Sequence, residues 1–350
     1  MAGLRWLRGD LHVHSLRSHG GELTPEEVVA AAREAGLDFI AVTEHNTVDT
    51  YPAWAKAAGD DLTVIPGQEV VTANGHWLAL GLPPGQVADW RYGVRDDLID
   101  RAVQQVHDAG GLCVVAHPHA PYPSGTFMFA LDGFDAVEVW NGLWASDLPW
   151  NADNEAALAE WGRSLAVGVH RGRWLPAVGN SDVHLRGQLG TPQTVVLAGD
   201  AGGVLAGVRA GHCWIAGSSE VRLSFTAEAA AADGTTRTAG IGQRLETGGR
   251  DAIIRLEVSG VPAGTVTLHT DRGRAHQAAA STVTFHTDRG RAHQTAAGTV
   301  TFHTDRGRAH QAEAGTVQWR TTAAESAFVR AEVRAPGGHM LALTNPILLA

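Results

Sequence analysis

Two histidines two residues apart, His12 and His14, close the N-terminal run Gly9-Asp10-Leu11-His12-Val13-His14-Ser15, and His19 follows five residues on. Residues i and i+2 of an extended strand face one side. His12 and His14 therefore present both imidazoles to one surface, and the loop beyond can return His19 to it. Imidazole is the commonest protein ligand for transition metals, so three of them beside Asp10 found a metal site. The same spacing recurs in Asp182-Val183-His184, while His45, Glu69, His76 and His117 border apolar, β-branched runs. Seven imidazoles and two carboxylates exceed what one tetrahedral ion needs. With a bridging carboxylate they suit two or three ions, and the mixed donors favour Zn²⁺, Mn²⁺ or Fe²⁺ over Ca²⁺ or Mg²⁺. Asp10 is expected to accept a hydrogen bond from a ligand histidine and fix its ring.

The elements that must position these donors are legible in order. Thr24-Pro25-Glu26-Glu27 reads as a helix start, with Thr24 as N-cap, Pro25 in the first turn and Glu27 completing a capping box; Gly36 ends that helix. Asp38 to Thr43 is a buried-type strand that runs into Glu44-His45-Asn46. Leu62 to Ile65 is a second, followed by Pro66-Gly67-Gln68-Glu69, and His76 to Leu80 a third. The spacing predicts a helix over 96–109, then a strand over 112–116 delivering His117-Pro118-His119. Ala136 to Trp140 and Pro176 to Ser181 are further strands, separated by a helix over 154–165, and Thr194 to Leu197 is one more. Strands alternating with helices predict a parallel sheet, and polar residues at strand C-termini predict a barrel-like α/β fold with its site at one mouth.

At 350 residues the chain has room for one large domain and a smaller one. A net charge of −10 argues against nucleic acid or anionic membrane held across the whole surface. Cys113 and Cys213 are the only cysteines, which excludes a disulfide framework. Met-Ala-Gly-Leu-Arg-Trp at the start lacks the apolar run of a signal peptide, and no apolar window reaches membrane-spanning length. The expectation is a soluble, cytoplasmic protein without a membrane partner; oligomeric state cannot be read.

Near Gly217 the pattern changes. Val221 to Phe225, Ala252 to Val258 and Phe328 to Arg334 alternate with period two, as half-buried antiparallel strands do. The expected division is a barrel over 1–218 and a sandwich-like all-β domain over 219–350. Within the latter, the segment from Thr265 to Gln277 recurs from Thr282 and from Thr299, then decays at Thr316-Val317-Gln318-Trp319, so a 17-residue tandem repeat fills 265–320. Each unit reads as a short strand and a turn at Asp271-Arg272-Gly273 or its copy. Near-identity of the copies points to duplication of one segment, tolerated at an edge, rather than to a histidine-rich binding surface.

Taken in order, D-L-H-V-H-S at 10–15 with S-H-G at 18–20, T-E-H-N at 43–46, G-Q-E-V at 67–70 with G-H at 75–76, A-H-P-H at 116–119 and S-D-V-H at 181–184 resemble the PHP (polymerase and histidinol phosphatase) superfamily of metal-dependent hydrolases. The likeness covers residues 9 to about 215. E-V-W-N-G at 138–142 and A-L-T-N-P-I at 342–347 are similar to its CehA/McbA branch, named for aryl carbamate hydrolases. The resemblance implies a distorted (β/α)7 barrel and a trinuclear site. One ion would take His12, His14, Glu69 and Asp182; a second would share Glu69 and add His76 and His117; the third would take His19, His45 and His184. Glu44 stands where many relatives carry aspartate, at a position that is not a ligand in this scheme.

The implied chemistry is hydrolysis by a hydroxide bridging two ions, because metal binding lowers the pKa of water from ~15.7 to ~7. Glu69 and Asp182 would hold those ions, and the local positive charge would draw a phosphate ester. His119 and Arg171 are candidates for catalytic contact with the substrate, with His170, Arg17 and Arg186 as further anion contacts. The leading expectation is a phosphoesterase acting on a small molecule with two to three divalent transition-metal ions. A carbamate, ester or amide hydrolase on the same metals is the second reading, and a non-catalytic metal-binding adaptor the third. No basic, aromatic groove marks a nucleic-acid substrate.

Overall fold

In the computed structural model, which describes residues 3–261, 263–271, 273–281 and 316–350, the chain forms two units. One comprises Met1–Ser164 and Trp174–Ser219, the other Leu165–Arg173 and Glu220–Ala350.

The first unit contains strands β1 (Arg5–Val13), β2 (Phe39–Val42), β3 (Thr63–Thr72), β4 (Gly75–Leu80), β5 (Leu112–Val115), β6 (Ala136–Asn141), β7 (Ala177–Asn180), β8 (Gln193–Ala198) and β9 (Cys213–Ala216). Its helices are α1 (Pro25–Glu34), α2 (Tyr51–Ala58), α3 (Ile99–Asp108), α4 (Asn154–Gly168, which runs on past this unit) and α5 (Val204–Arg209). Helix α1 starts as its residues dictate: Thr24 Oγ1 accepts the Glu27 N–H, and the Glu27 carboxylate accepts the Thr24 N–H. The strands lie in the order β9-β8-β1-β2-β3-β4-β5-β6-β7.

This mixed sheet is buried on both faces. Phe39 and Ala41 join Leu7, Leu11, Leu78, Leu80, Leu112 and Val114 in an inner cluster, whereas Ile40 and Val42 pack with Val28, Val29 and Ala32 of α1 and with Trp54. The alternation along β2 is the period-two geometry of a strand covered on both sides. Gly9 pairs with Phe39, and a Cβ there would lie 2.2 Å from the phenylalanine ring, so only glycine lets the ring cover β1. The sheet curls into a half-barrel. Leu11 N–H donates to Asn180 Oδ1 at 2.9 Å, Ser181 N–H donates to Asp10, and Val13 forms an isolated parallel bridge with Val183.

The parallel-sheet expectation is corrected at the β8–β9 edge, where β1/β8 and β8/β9 are antiparallel, and in the middle of the sheet. β1/β2/β3 and β5/β6/β7 are parallel, but β3/β4 and β4/β5 are antiparallel. Thr72 pairs with Gly75 across a two-residue turn, too short for the crossover a parallel pair needs. The strand expected to end at Ile65 also continues to Thr72. Residues 63–66 pair with β2 and residues 67–72 with β4, the change of partner falling at Pro66-Gly67, where proline has no N–H to give a ladder. Glu69 is thereby carried inside a strand.

The second unit is built of β10 (Arg222–Ala230), β11 (Thr236–Gly240), β12 (Arg244–Leu245), β13 (Asp251–Ser259), β14 (Ala263–Thr270), β15 (Gly273–Ser281), β16 (Thr316–Thr322), β17 (Phe328–Arg334), β18 (Met340–Thr344) and β19 (Ile347–Leu349). One antiparallel sheet runs β11-β10-β13-β16. Ala252, Ile254, Leu256 and Val258 are buried in alternation with more exposed neighbours, as the period-two pattern requires. Elsewhere β14 pairs with β15 and β17, and β17 with β18 and β19. The first repeat forms the β14–β15 hairpin, and the decayed copy begins β16. The two copies between them, 282–315, lie outside the described residues. Among the described residues no helix is long and apolar enough to cross a membrane.

Candidate metal centre

Glu69 is the hub. Its Oε1 lies 2.9 Å from His76 Nδ1 and 3.2 Å from His117 Nε2, and its Oε2 lies 3.0 Å from His45 Nε2, 3.4 Å from His14 Nε2 and 3.5 Å from His12 Nε2. Asp182 is the second carboxylate, with Oδ1 at 3.0 Å from His14 Nε2 and 3.3 Å from His12 Nε2. Within this cluster three sets of donor atoms each fall within 4.8 Å of one another: His12, Glu69 and His117; His12, His14 and Asp182; and His14, His45 and His184.

The rings are aimed by what holds their other nitrogen. His12 Nδ1 meets Glu138 Oε1 at 3.2 Å, and His184 Nδ1 donates to the Asp182 carbonyl at 2.9 Å. Ser18 gives its hydroxyl proton to Glu44, so at 3.1 Å it accepts the Nδ1 proton of His14. Each arrangement turns the Nε2 atom into the cluster. Glu44 also takes the Ser15 hydroxyl, and the Ser18 oxygen accepts the His45 N–H at 3.0 Å. Two donors rest on left-handed backbone, His117 at φ 23° and Asp182 at φ 50°, a strain of about 1–3 kcal/mol each that packing must hold in place.

The donor set fits metal ions on a specific observation. His12 Nε2, His14 Nε2, His76 Nε2, His117 Nδ1, Glu69 Oε2 and Asp182 Oδ1 are all buried without a hydrogen-bond partner. Leaving even one such atom unpaired costs about 1–3 kcal/mol, so six in one cluster call for a cation. The electrostatics agree. Burial pushes the Glu69 and Asp182 carboxyls up, but the surrounding imidazoles, His12 foremost, hold both well below the usual carboxylate range. Burial, reinforced by His184 and His45, drives His14 down to about 3. Burial also opposes the His12 cation, yet Asp182, Glu138 and Glu69 outweigh it and hold that imidazole well above its ordinary value.

Of the nine ligands expected, eight gather here and His19 does not. The turn at 15–18, closed by Ser18 N–H to the Ser15 carbonyl, sends Ser18 inward and leaves His19 exposed, so His14 stands beside His45 and His184 instead. Asp10 does not orient a ligand ring. It accepts the backbone N–H groups of His12, Ser181 and Gly190, and burial raises its pKa to about 6. The orienting carboxylate is Glu138, which also accepts from His117 N–H, Asn141 and Asn180. His119 is turned to Glu160 at 2.6 Å; Arg17 pairs with Asp49, and Arg186 with Glu27. His170 and Arg171 belong to the second unit, where His170 meets Asp271. Glu138, Glu44 and Ser18 were missed as site residues. Their only signal was position, since each lies within a motif already singled out.

Residues 10–108, which include His12, His14, His45, Glu69 and His76, match the PHP domain family. The uncharacterized protein MJ1587 of Methanocaldococcus jannaschii is 26% identical over 148 residues, covering 39% of this chain and 82% of that one. Among solved structures, a Bifidobacterium adolescentis protein assigned as a metal-dependent phosphoesterase is 19% identical over 51% of this chain and 88% of its own, with a TM-score of 0.37. An amidohydrolase of Chromobacterium violaceum, solved with sulfate and no metal, is 20% identical over the same shares, with a TM-score of 0.37. Endonuclease Q, bound to a duplex with an abasic lesion, is 18% identical over 59% of this chain and 56% of its own, with a TM-score of 0.39. Over residues 10–108, then, the chain is similar to PHP domains.

Proposed function

We propose that this protein is a metal-dependent hydrolase whose substrate is a small phosphoester. The observation that carries this reading is the cluster of six buried, unpartnered donor atoms around Glu69 and Asp182. His12, His14, His45, His76, His117, His184, Glu69 and Asp182 would hold two to three divalent ions, zinc, manganese or iron, in a trinuclear arrangement. Bound there, such ions lower the pKa of water to ~7 and stabilise the charge that develops on the substrate. The protein's own part is to aim each Nε2 at the place a metal would take. Glu138 and Ser18 do this for His12 and His14 through their Nδ1 atoms. Glu69, facing His76 and His117 with one oxygen and His12, His14 and His45 with the other, fixes the spacing between neighbouring sets.

The second reading is hydrolysis of a carbamate, ester or amide, on the likeness to the CehA/McbA branch. It is favoured by Glu138 and Asn141 of the E-V-W-N-G run, which both turn to the site: Asn141 Nδ2 donates to Glu138 at 3.0 Å and to Asp182 at 3.3 Å. In either case residues 219–350 form a sandwich-like β domain outside the chemistry, and the protein acts in the cytoplasm. The test is metal content per chain with parallel assays on p-nitrophenyl phosphate, bis-p-nitrophenyl phosphate and a naphthyl carbamate. Two to three ions and faster phosphoester turnover are expected. Fewer than one ion after metal-replete expression overturns the metal reading, and carbamate turnover alone shifts the assignment to the second.

A further inference from the structure

The chain has three tyrosines. Tyr51 donates to the Val64 carbonyl and Tyr92 accepts the Trp77 indole N–H, but no described residue hydrogen-bonds to the Tyr122 hydroxyl. Its ring is half-buried against the candidate metal centre, 6.0 Å from the His76 ring and 6.3 Å from that of His117. The position is built. Pro121 and Pro123 stiffen the backbone on either side. The Tyr122 carbonyl accepts the Gly125 and Thr126 N–H groups, Phe127 N–H donates to the Pro118 carbonyl, and Thr126 Oγ1 donates to Ala120. Gly125 makes room for the ring, since a Cβ there would lie 2.3 Å from Tyr122 Cε2.

Every side chain of the donor cluster offers a metal a lone pair. A phenol is protonated at neutral pH and offers a proton. We propose that the Tyr122 hydroxyl is a substrate contact, donating a hydrogen bond to a non-bridging oxygen of the phosphoryl group beside His76 and His117. This rests on the phosphoester reading above. A hydrogen bond to a charged oxygen is lost with the hydroxyl, so Tyr122→Phe weakens substrate recognition by about 10- to 100-fold and leaves the metal ligands untouched.

The test uses full-length protein loaded with metal, with inorganic phosphate as the probe. Tyr122→Phe should bind phosphate at least tenfold more weakly by calorimetry, lose kcat/KM on p-nitrophenyl phosphate to a similar degree, and keep the wild-type metal count. Gly125→Ala, which displaces the ring while keeping the hydroxyl, should shift both in the same direction. With 3-fluorotyrosine incorporated, the ¹⁹F resonance absent from Tyr122→Phe should move on adding phosphate while the other two stay. Unchanged phosphate affinity, a stationary resonance, or loss of metal in Tyr122→Phe overturns the proposal. If the wild type turns over no phosphoester, the phosphoester reading fails on its own. Tyr122 is then judged by the phosphate affinity and the ¹⁹F shift.

Discussion

His12 is held among three carboxylates: its Nδ1 lies 3.2 Å from Glu138 Oε1, and its Nε2 lies 3.3 Å from Asp182 Oδ1 and 3.5 Å from Glu69 Oε2. A ring fixed in this way gives one nitrogen to the protein and keeps the other for a metal. Glu138 also accepts the His117 N–H at 2.8 Å, so one buried carboxylate steadies two donors. Glu138→Gln keeps the shape and a carbonyl acceptor but loses the charge that favours the Nδ1–H tautomer. Metal affinity is expected to fall about 10- to 100-fold, with the fold retained. Competition with a chelator of known affinity measures it, and wild-type affinity would remove Glu138 from the site's support.

Local periodicity and capping made α1 and the flanks of the sheet legible, because those signals lie within a few residues of one another. The antiparallel β3–β4–β5 core was not. Both it and the continuation of β3 depend on a two-residue turn and on a proline that ends one ladder where another begins. Donors delivered from strand ends were legible by type and spacing. What escaped was direction: the turn at 15–18 decides that Ser18 points in and His19 out, and spacing cannot tell a ligand from its neighbour. Glu138 escaped because an acidic residue inside an apolar strand shows its partners only when β1, β5, β6 and β7 are brought together.

The tandem repeat offers a deletion that preserves phase. Residues 282–315 are two whole 17-residue periods, so removing them joins Ser281 to Thr316 as one copy joins the next. The donor cluster lies wholly in the first unit. The shortened protein is therefore expected to keep its metal and at least half of its turnover. A variant that folds and binds metal but loses turnover would show that the repeats serve catalysis.

Acid should weaken the second unit through Glu332. Arg330 Nη1 donates to its Oε1 at 2.8 Å, Arg334 Nε donates to its Oε2 at 3.1 Å, and His269 Nε2 approaches to 3.1 Å. Burial pushes this carboxyl up, but His269 and Arg330 outweigh it and hold it far below the usual carboxylate range. A depressed carboxylate contributes stability that is fully present above its unfolded value, about 4.3, and is lost as pH falls below it. Glu332→Gln removes the carboxylate paired with the buried Arg330 charge, a cost of about 3–5 kcal/mol at pH 7. Urea denaturation between pH 3 and 7 should show the gap between wild type and variant closing as pH drops. A gap independent of pH would mean that the ionised carboxylate contributes nothing.

Glu69 separates a catalytic centre from a store of metal. Both of its oxygens face imidazoles of different sets, so its charge and its width govern the spacing of adjacent ions. Gln in its place keeps one carbonyl oxygen but turns an amide NH₂ toward lone pairs that a carboxylate had accommodated, and it removes a negative charge among five histidines. The His14, His45 and His184 set needs no atom of Glu69 to assemble its three nitrogens. Glu69→Gln should therefore keep one ion per chain and lose the others, with turnover down at least a hundredfold. The thermal stabilisation that wild type gains from metal, about 2.7 kcal/mol at a hundredfold excess over Kd, should shrink with the lost ions. His76→Ala, which removes one terminal donor, should cost less in both respects because water can fill its position. Metal count, turnover and thermal midpoint with and without chelator, taken for both variants, test this directly. A Glu69→Gln protein with its full metal complement and wild-type turnover would show that the carboxylate does not bridge, and the hydrolytic geometry proposed for this site would fall with it.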